Sequence, residues 1–122
     1  MTEAIDFGIL THAQSPAWSL KAGEVVFQQG DPAHELFVIK SGKVEIRIGN
    51  RLLDTLDDNC IFGEMALIDS SLRSATAIAA TDVTLVPISE KQFLFLVRQT
   101  PFFALNVMRT LAQRLRHMNH AM

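Results

Sequence analysis

Lys43-Val44-Glu45-Ile46-Arg47-Ile48-Gly49-Asn50-Arg51-Leu52-Leu53-Asp54-Thr55-Leu56 is the stretch whose pattern decides the fold. Val44, Ile46 and Ile48 fall on one side of an extended chain, and Lys43, Glu45 and Arg47 on the other. That period of two is the mark of a half-buried strand. Gly49-Asn50 predicts a tight two-residue hairpin turn, with residues 51–56 returning as the partner strand.

Similar short strands extend in both directions. Toward the N-terminus, residues 36–40 read as a strand ended by Ser41-Gly42, and Val25-Val26-Phe27 is stopped by Gln29-Gly30-Asp31-Pro32. There Gly30 can take positive φ and Pro32 fixes the chain direction. Lys21-Ala22-Gly23-Glu24 reads as a turn after Trp18-Ser19-Leu20, and Ile5, Ile9 and Leu10 suggest one or two helical turns. Toward the C-terminus, Asp57-Asp58-Asn59 reads as a loop and Cys60-Ile61-Phe62 as a short strand. Residues 74–80 and 83–88 are two more strands, split at Thr81-Asp82.

The pattern then becomes helical. Ser89 followed three residues later by Gln92 has the form of a capping box. Thr100-Pro101 is a second helix start. Beyond it Ala104, Met108, Leu111, Leu115, Met118 and Met122 recur at steps of 4, 3, 4, 3 and 4, a heptad-like seam. Many short strands followed by helices predict a mainly β domain with terminal helices, a small antiparallel barrel or roll. The expected division is an N-terminal segment over 1–17, strands over 18–88 and C-terminal helices over 89–122.

Composition limits the function. The chain has 122 residues, 48% hydrophobic and 20% charged, which fits one globular domain. A net charge of -2 gives no electrostatic footprint for nucleic acid, and Arg109, Arg114 and Arg116 are the one basic cluster. Cys60, the lone cysteine, excludes an internal disulfide and a cysteine-only metal site, and fits a cytoplasmic protein. No secretory leader or membrane span is expected from the sequence. His117 and His120 read as solvated helix-end residues with no further ligands near them, so no metal or cofactor is expected; His12 and His34 read as surface. No nucleophile–base motif or paired carboxylate appears, so the chain reads as a binding module rather than an enzyme.

One stretch carries chemistry: residues 62–77, Phe-Gly-Glu-Met-Ala-Leu-Ile-Asp-Ser-Ser-Leu-Arg-Ser-Ala-Thr-Ala. Gly63 permits a sharp turn, and residues 64–67 suit one helical turn whose free N–H groups favour an anion. Arg73, nine positions after Glu64, offers a planar fork of donors that suits phosphate, with the Ser74 hydroxyl beside it. Glu64 repels phosphate but accepts hydrogen bonds from sugar hydroxyls. A carboxylate and an arginine together suit a nucleotide; on spacing alone they suit equally a surface ion pair between Glu64 and Arg73.

This stretch resembles the phosphate-binding cassette of the cyclic-nucleotide-binding domain family, found in bacterial catabolite activators, kinase regulatory subunits and gated channels. Ala22-Gly23-Glu24, Gln29-Gly30-Asp31, Leu36-Phe37-Val38-Ile39 and Ser41-Gly42-Lys43-Val44 resemble the family's turns and strands in order, and the similarity runs from about Trp18 to Asn119. The resemblance implies an antiparallel, jelly-roll-like β-roll closed by a C-terminal lid helix, with cyclic AMP, or else cyclic GMP, as ligand. It implies that Glu64 bonds the ribose 2′-hydroxyl and Arg73 the cyclic phosphate. Gly63, Met65, Ala66, Ser74 and Ala75 would complete the cradle, and the base would lie near Met118 and Asn119. Leu72 stands where many members have proline, which implies a less rigid cassette loop. The resemblance also implies a regulatory domain that signals through its last helix. No DNA-binding domain or membrane segment is read in this chain, so it is either a stand-alone sensor or part of something larger. The alternative is a degenerate member that serves protein interaction or homodimerisation through the seam.

Overall fold

The computed structural model describes Phe7, residues 16–69 and residues 72–121, apart from the side chains of Ala66 and residues 118–121. The suggested helical turns around Ile5, Ile9 and Leu10 lie outside the described residues. Eight strands come first: β1 (Trp18–Leu20), β2 (Val25–Phe27), β3 (Glu35–Ser41), β4 (Val44–Ile48), β5 (Arg51–Leu56), β6 (Ile61–Phe62), β7 (Thr76–Ala79) and β8 (Val83–Ser89). A short helix α1 (Met65–Asp69) interrupts them, and α2 (Glu90–Gln99) and α3 (Pro101–Ala121) follow.

The strands form two four-stranded antiparallel sheets, ordered β1-β8-β3-β6 and β2-β7-β4-β5. They stay stacked as an open roll rather than closing into a barrel. β4 and β5 are the hairpin read from the sequence, with Ile48 opposite Arg51 and Gly49 at φ +57°. The register slips between Ile46 and Arg47, and Ile48 at the hairpin's end is exposed although it shares the parity of buried Val44.

β3 shows why the sheets stack as they do. Leu36, Phe37, Val38 and Ile39 are all buried, because both faces of this strand are covered. Phe37 and Ile39 point into the space between the sheets, with Phe62, Ala77, Ala79, Val83 and Leu85. Leu36 and Val38 point the other way, with Ile61, Val86 and Ile88, and meet Phe103 and Val107 of α3. The order of layers is therefore sheet, sheet, helices. β6 follows the same alternation: Ile61 faces the helices while Phe62 faces the other sheet.

The helix starts are those the sequence predicts. Ser89 accepts from the Gln92 N–H at 3.2 Å and the Gln92 side chain accepts from the Ser89 N–H at 2.9 Å, a complete capping box. At Thr100 the chain turns into α3, with its N–H bonded to the Leu96 carbonyl at 2.8 Å.

The apolar positions of α3 divide differently from the expected seam. Phe103, Val107 and Thr110 are buried, at steps of 4 and 3, and the next step of 4 reaches Arg114. Leu111 packs against this face, whereas Met108 and Leu115 are 57% and 61% exposed. The single stripe read from the sequence thus straddles the edge of the buried face, with Leu111 on its inner side and Met108 and Leu115 on its outer side. Met118 has no described side chain and Met122 lies outside the described residues.

Candidate functional site

The candidate site forms where β6 ends. Phe62 closes the strand in an aromatic cluster with Phe37 and Phe27, at centroid separations of 5.4 and 5.9 Å. Gly63 then turns the chain at φ +79°, a conformation that glycine adopts without the steric cost of a side chain. A Cβ at this position would lie 2.7 Å from Arg73 Nη1. Glycine is needed here for two reasons, backbone angle and room for the arginine.

Arg73 is held on every side. Its N–H donates to the Asp31 carbonyl at 2.9 Å and its carbonyl accepts from the Gly30 N–H at 2.8 Å. The Gly30-Asp31 turn therefore fastens the backbone of Arg73, and the Asp31 carboxylate braces that turn by accepting from the Gln28 N–H at 2.9 Å. The side chain reaches inward and is 5% exposed. Nη1 donates to the Gly63 carbonyl at 3.1 Å, and Nη2 to the Glu35 carbonyl at 2.8 Å and the Glu35 carboxylate at 3.4 Å. The Cζ atom lies 4.0 Å from the centroid of the Phe27 ring, a cation–π contact. Burial pushes the Arg73 pKa below its ordinary value, and the carboxylates of Glu35, Asp31 and Glu64 oppose that shift.

Nε of Arg73 is buried and has no hydrogen-bond partner. An unsatisfied donor on a buried cation costs free energy, so an anionic acceptor is favoured there.

Glu64 is 4% exposed and pairs with Arg114 of α3. Arg114 Nη1 donates to Glu64 Oε1 and Nη2 donates to the Ile61 carbonyl. Glu64 and Arg73 do not form the mutual ion pair that their spacing allows. Each has its own partner from a distant element: Arg114 for Glu64, Glu35 for Arg73.

The other expected residues are placed as follows. Met65 and Ala66 begin α1, and Met65 is 42% exposed. Ser74 is exposed and Ala75 buried, directly before β7. Leu72 is 60% exposed in the loop before Arg73. Met118 and Asn119 lie on the last turns of α3, with side chains outside the described residues. Sequence reasoning missed Glu35 and Arg114 as members of this cluster. For Arg114 a signal existed: it continues the buried face of Phe103, Val107 and Thr110, where a charge calls for a partner. For Glu35 there was none, since its main contact uses a main-chain carbonyl.

A separate hollow lies among Gly42, Lys43, Asp57, Asp58 and Thr81 and shares no residue with this cluster. Its polar groups are engaged in holding loops: Asp58 accepts from the Gly42 N–H at 2.8 Å and Thr81 from the Lys43 N–H at 3.0 Å.

The profile of the cyclic nucleotide-binding domain matches residues 17–100, most of the chain. The chain belongs to the cyclic nucleotide-binding domain family. Among relatives of this family, it is 38% identical over 99 residues to the cyclic AMP receptor protein of Thermus thermophilus, covering 77% of this chain and 46% of that protein. It is 35% identical over 79 residues to a cGMP-dependent protein kinase of Plasmodium berghei, covering 65% of this chain and 9% of that one. The crystal structure of Thermus thermophilus catabolite activator protein superposes with a TM-score of 0.78 at 32% identity, over 92% of this chain and 60% of that one. The chain thus spans less than half the length of these curated relatives. Membership agrees with the two stacked sheets and the C-terminal helices of this chain. Among the described residues, no helix is long and apolar enough to cross a membrane.

Proposed function

We propose that this chain is a cytoplasmic sensor for a cyclic nucleotide, cyclic AMP foremost, and that it signals by repositioning α3 without catalysing a reaction. One observation carries the reading: the carboxylate at the sugar position, Glu64, is bonded by an arginine of the C-terminal helix. The unpartnered Nε of Arg73 supports the phosphate end.

In this reading Arg73 takes the cyclic phosphate. Ser74, Ala75 and the main-chain N–H groups of Gly63, Met65 and Ala66 complete the cradle. Glu64 accepts from the ribose 2′-hydroxyl, and the base lies against the last turns of α3, near Met118 and Asn119. A ribose hydroxyl on Glu64 meets Arg114 on the same carboxylate. The two donors share Glu64 or exchange on it, and either outcome changes how α3 is anchored to β6. A relative named for cyclic AMP and another named for cGMP both support a cyclic nucleotide; the bacterial character of the cassette favours cyclic AMP.

Calorimetry with cyclic AMP and cyclic GMP tests this. Two charge-assisted bonds from Arg73 with main-chain donors beside them support micromolar binding, about -8 kcal/mol. Failure of both nucleotides to bind at high micromolar concentration removes the reading.

A second use of α3 has its own support. Leu105, Met108, Ala112 and Leu115 follow one another at steps of 3, 4 and 3, and Met108 and Leu115 are strongly exposed. This outer stripe suits a second copy of the helix and hence a homodimer. Light scattering on wild type and Leu115→Lys decides it: a wild-type monomer ends this second reading.

A further inference from the structure

Arg73 has five N–H bonds to give. Three are engaged, one from Nη1 to the Gly63 carbonyl and two from Nη2, both to Glu35. A guanidinium offers parallel pairs of N–H bonds along two edges only, Nε with Nη2 and Nη1 with Nη2. Both edges need Nη2. A phosphate that takes a two-point grip on Arg73 must therefore compete with Glu35 for Nη2.

The two Glu35 acceptors differ in how firmly they are fixed. Its carbonyl belongs to β3 and lies 2.8 Å from Nη2. Its carboxylate is at 3.4 Å, on a side chain 28% exposed against 3% for that of Arg73. The carboxylate is the acceptor that can leave.

Three carboxylates act on the charge of Arg73: Glu35, Asp31 and Glu64. Asp31 accepts from the Gln28 N–H and Glu64 is bonded by Arg114. Among the described residues, Glu35 is the acidic side chain that touches the guanidinium.

The geometry points to Glu35 as the residue that sets anion affinity at this site: its carboxylate and an incoming phosphate compete for the same Nη2 hydrogen of Arg73. This rests on the reading of Arg73 as the phosphate ligand. Glu35 thereby weakens binding while it keeps the buried cation partnered. The carbonyl contact remains in any Glu35 variant, so Arg73 stays in place when the carboxylate is removed.

The test is calorimetry of the whole chain with cyclic AMP and with cyclic GMP, using wild type, Glu35→Gln, Glu35→Ala and, as a remote control, Glu45→Gln. Both Glu35 variants are expected to bind about two- to fivefold more tightly, from loss of one partly exposed ion pair, with the Glu45 variant unchanged. A gain in affinity is not what structural damage produces. Equal or weaker binding by Glu35 variants whose circular dichroism matches wild type overturns the role of Glu35 and leaves the nucleotide reading standing. No binding by any of the four proteins overturns the nucleotide reading, and this inference with it.

Discussion

Arg114 and Glu64 are bonded across fifty residues of chain. The same guanidinium also takes the Ile61 carbonyl, so one residue of α3 clasps both the strand that ends at the site and the carboxylate that follows it. This clasp makes α3 part of the site rather than a helix packed nearby.

Uncoupling is the expected effect of Arg114→Ala. Hydrogen exchange in the distal half of α3 is expected to change when wild type is given cyclic nucleotide. In the variant that response is lost while binding, read by calorimetry, persists. An undiminished response in the variant shows that the helix is driven by other contacts.

Arg73→Ala removes the charge proposed to take the phosphate. Its loss is expected to weaken cyclic nucleotide binding on the order of a hundredfold or more, from two lost charge-assisted bonds. Arg47→Ala is expected to stay within about twofold, because Arg47 pairs with Glu45 on the surface hairpin and contributes little. Similar losses from both variants place the phosphate elsewhere.

Gly63→Ala combines backbone strain at φ +79° with a Cβ 2.7 Å from Arg73 Nη1. The expected cost is roughly 1–3 kcal/mol of stability. Thermal unfolding reads it as about 4 °C of Tm per kcal/mol. Nucleotide affinity is expected to fall as well, since Arg73 must shift to make room.

Cys60 is buried, and burial is the first cause that pushes its thiol pKa up, ahead of the nearby Asp57. The folded state thus holds its proton at a pH where the unfolded thiol, near 8.5, has lost it. Fewer protons are bound in the unfolded state, so stability falls as pH rises. The contribution is complete below about pH 8 and is lost as pH climbs through the raised native value. Urea titrations from pH 7 to 10 are expected to show this slope in wild type and a shallower one in Cys60→Ala.

The fold was legible wherever the information is local. Alternation in residues 44–48, the glycine turns, the capping box at Ser89 and the Thr100-Pro101 start each depend on neighbours a few positions apart. Glu64 and Arg73 stand out as candidates because glycine, carboxylate and arginine lie close in sequence. Their partners do not. Arg114 is distant in the chain, and the contacts of Arg73 with Gly63 and Glu35 run chiefly through carbonyls. On α3, Leu111, which packs inward, and Met108 and Leu115, which are exposed, fit one periodic pattern. Period alone records apolarity, not which side the core occupies.

Ile61 and Gly63 offer their main-chain oxygens to Arg114 and Arg73, with one residue between them. Every amino acid carries that oxygen. Substitution at position 61 alters packing against α3 but leaves the acceptor in place. The two arginines are thus tethered to a part of the chain that mutation cannot delete. The evolutionary burden of keeping them connected falls on the arginines themselves, on Glu64 and on the glycine that leaves Arg73 its room.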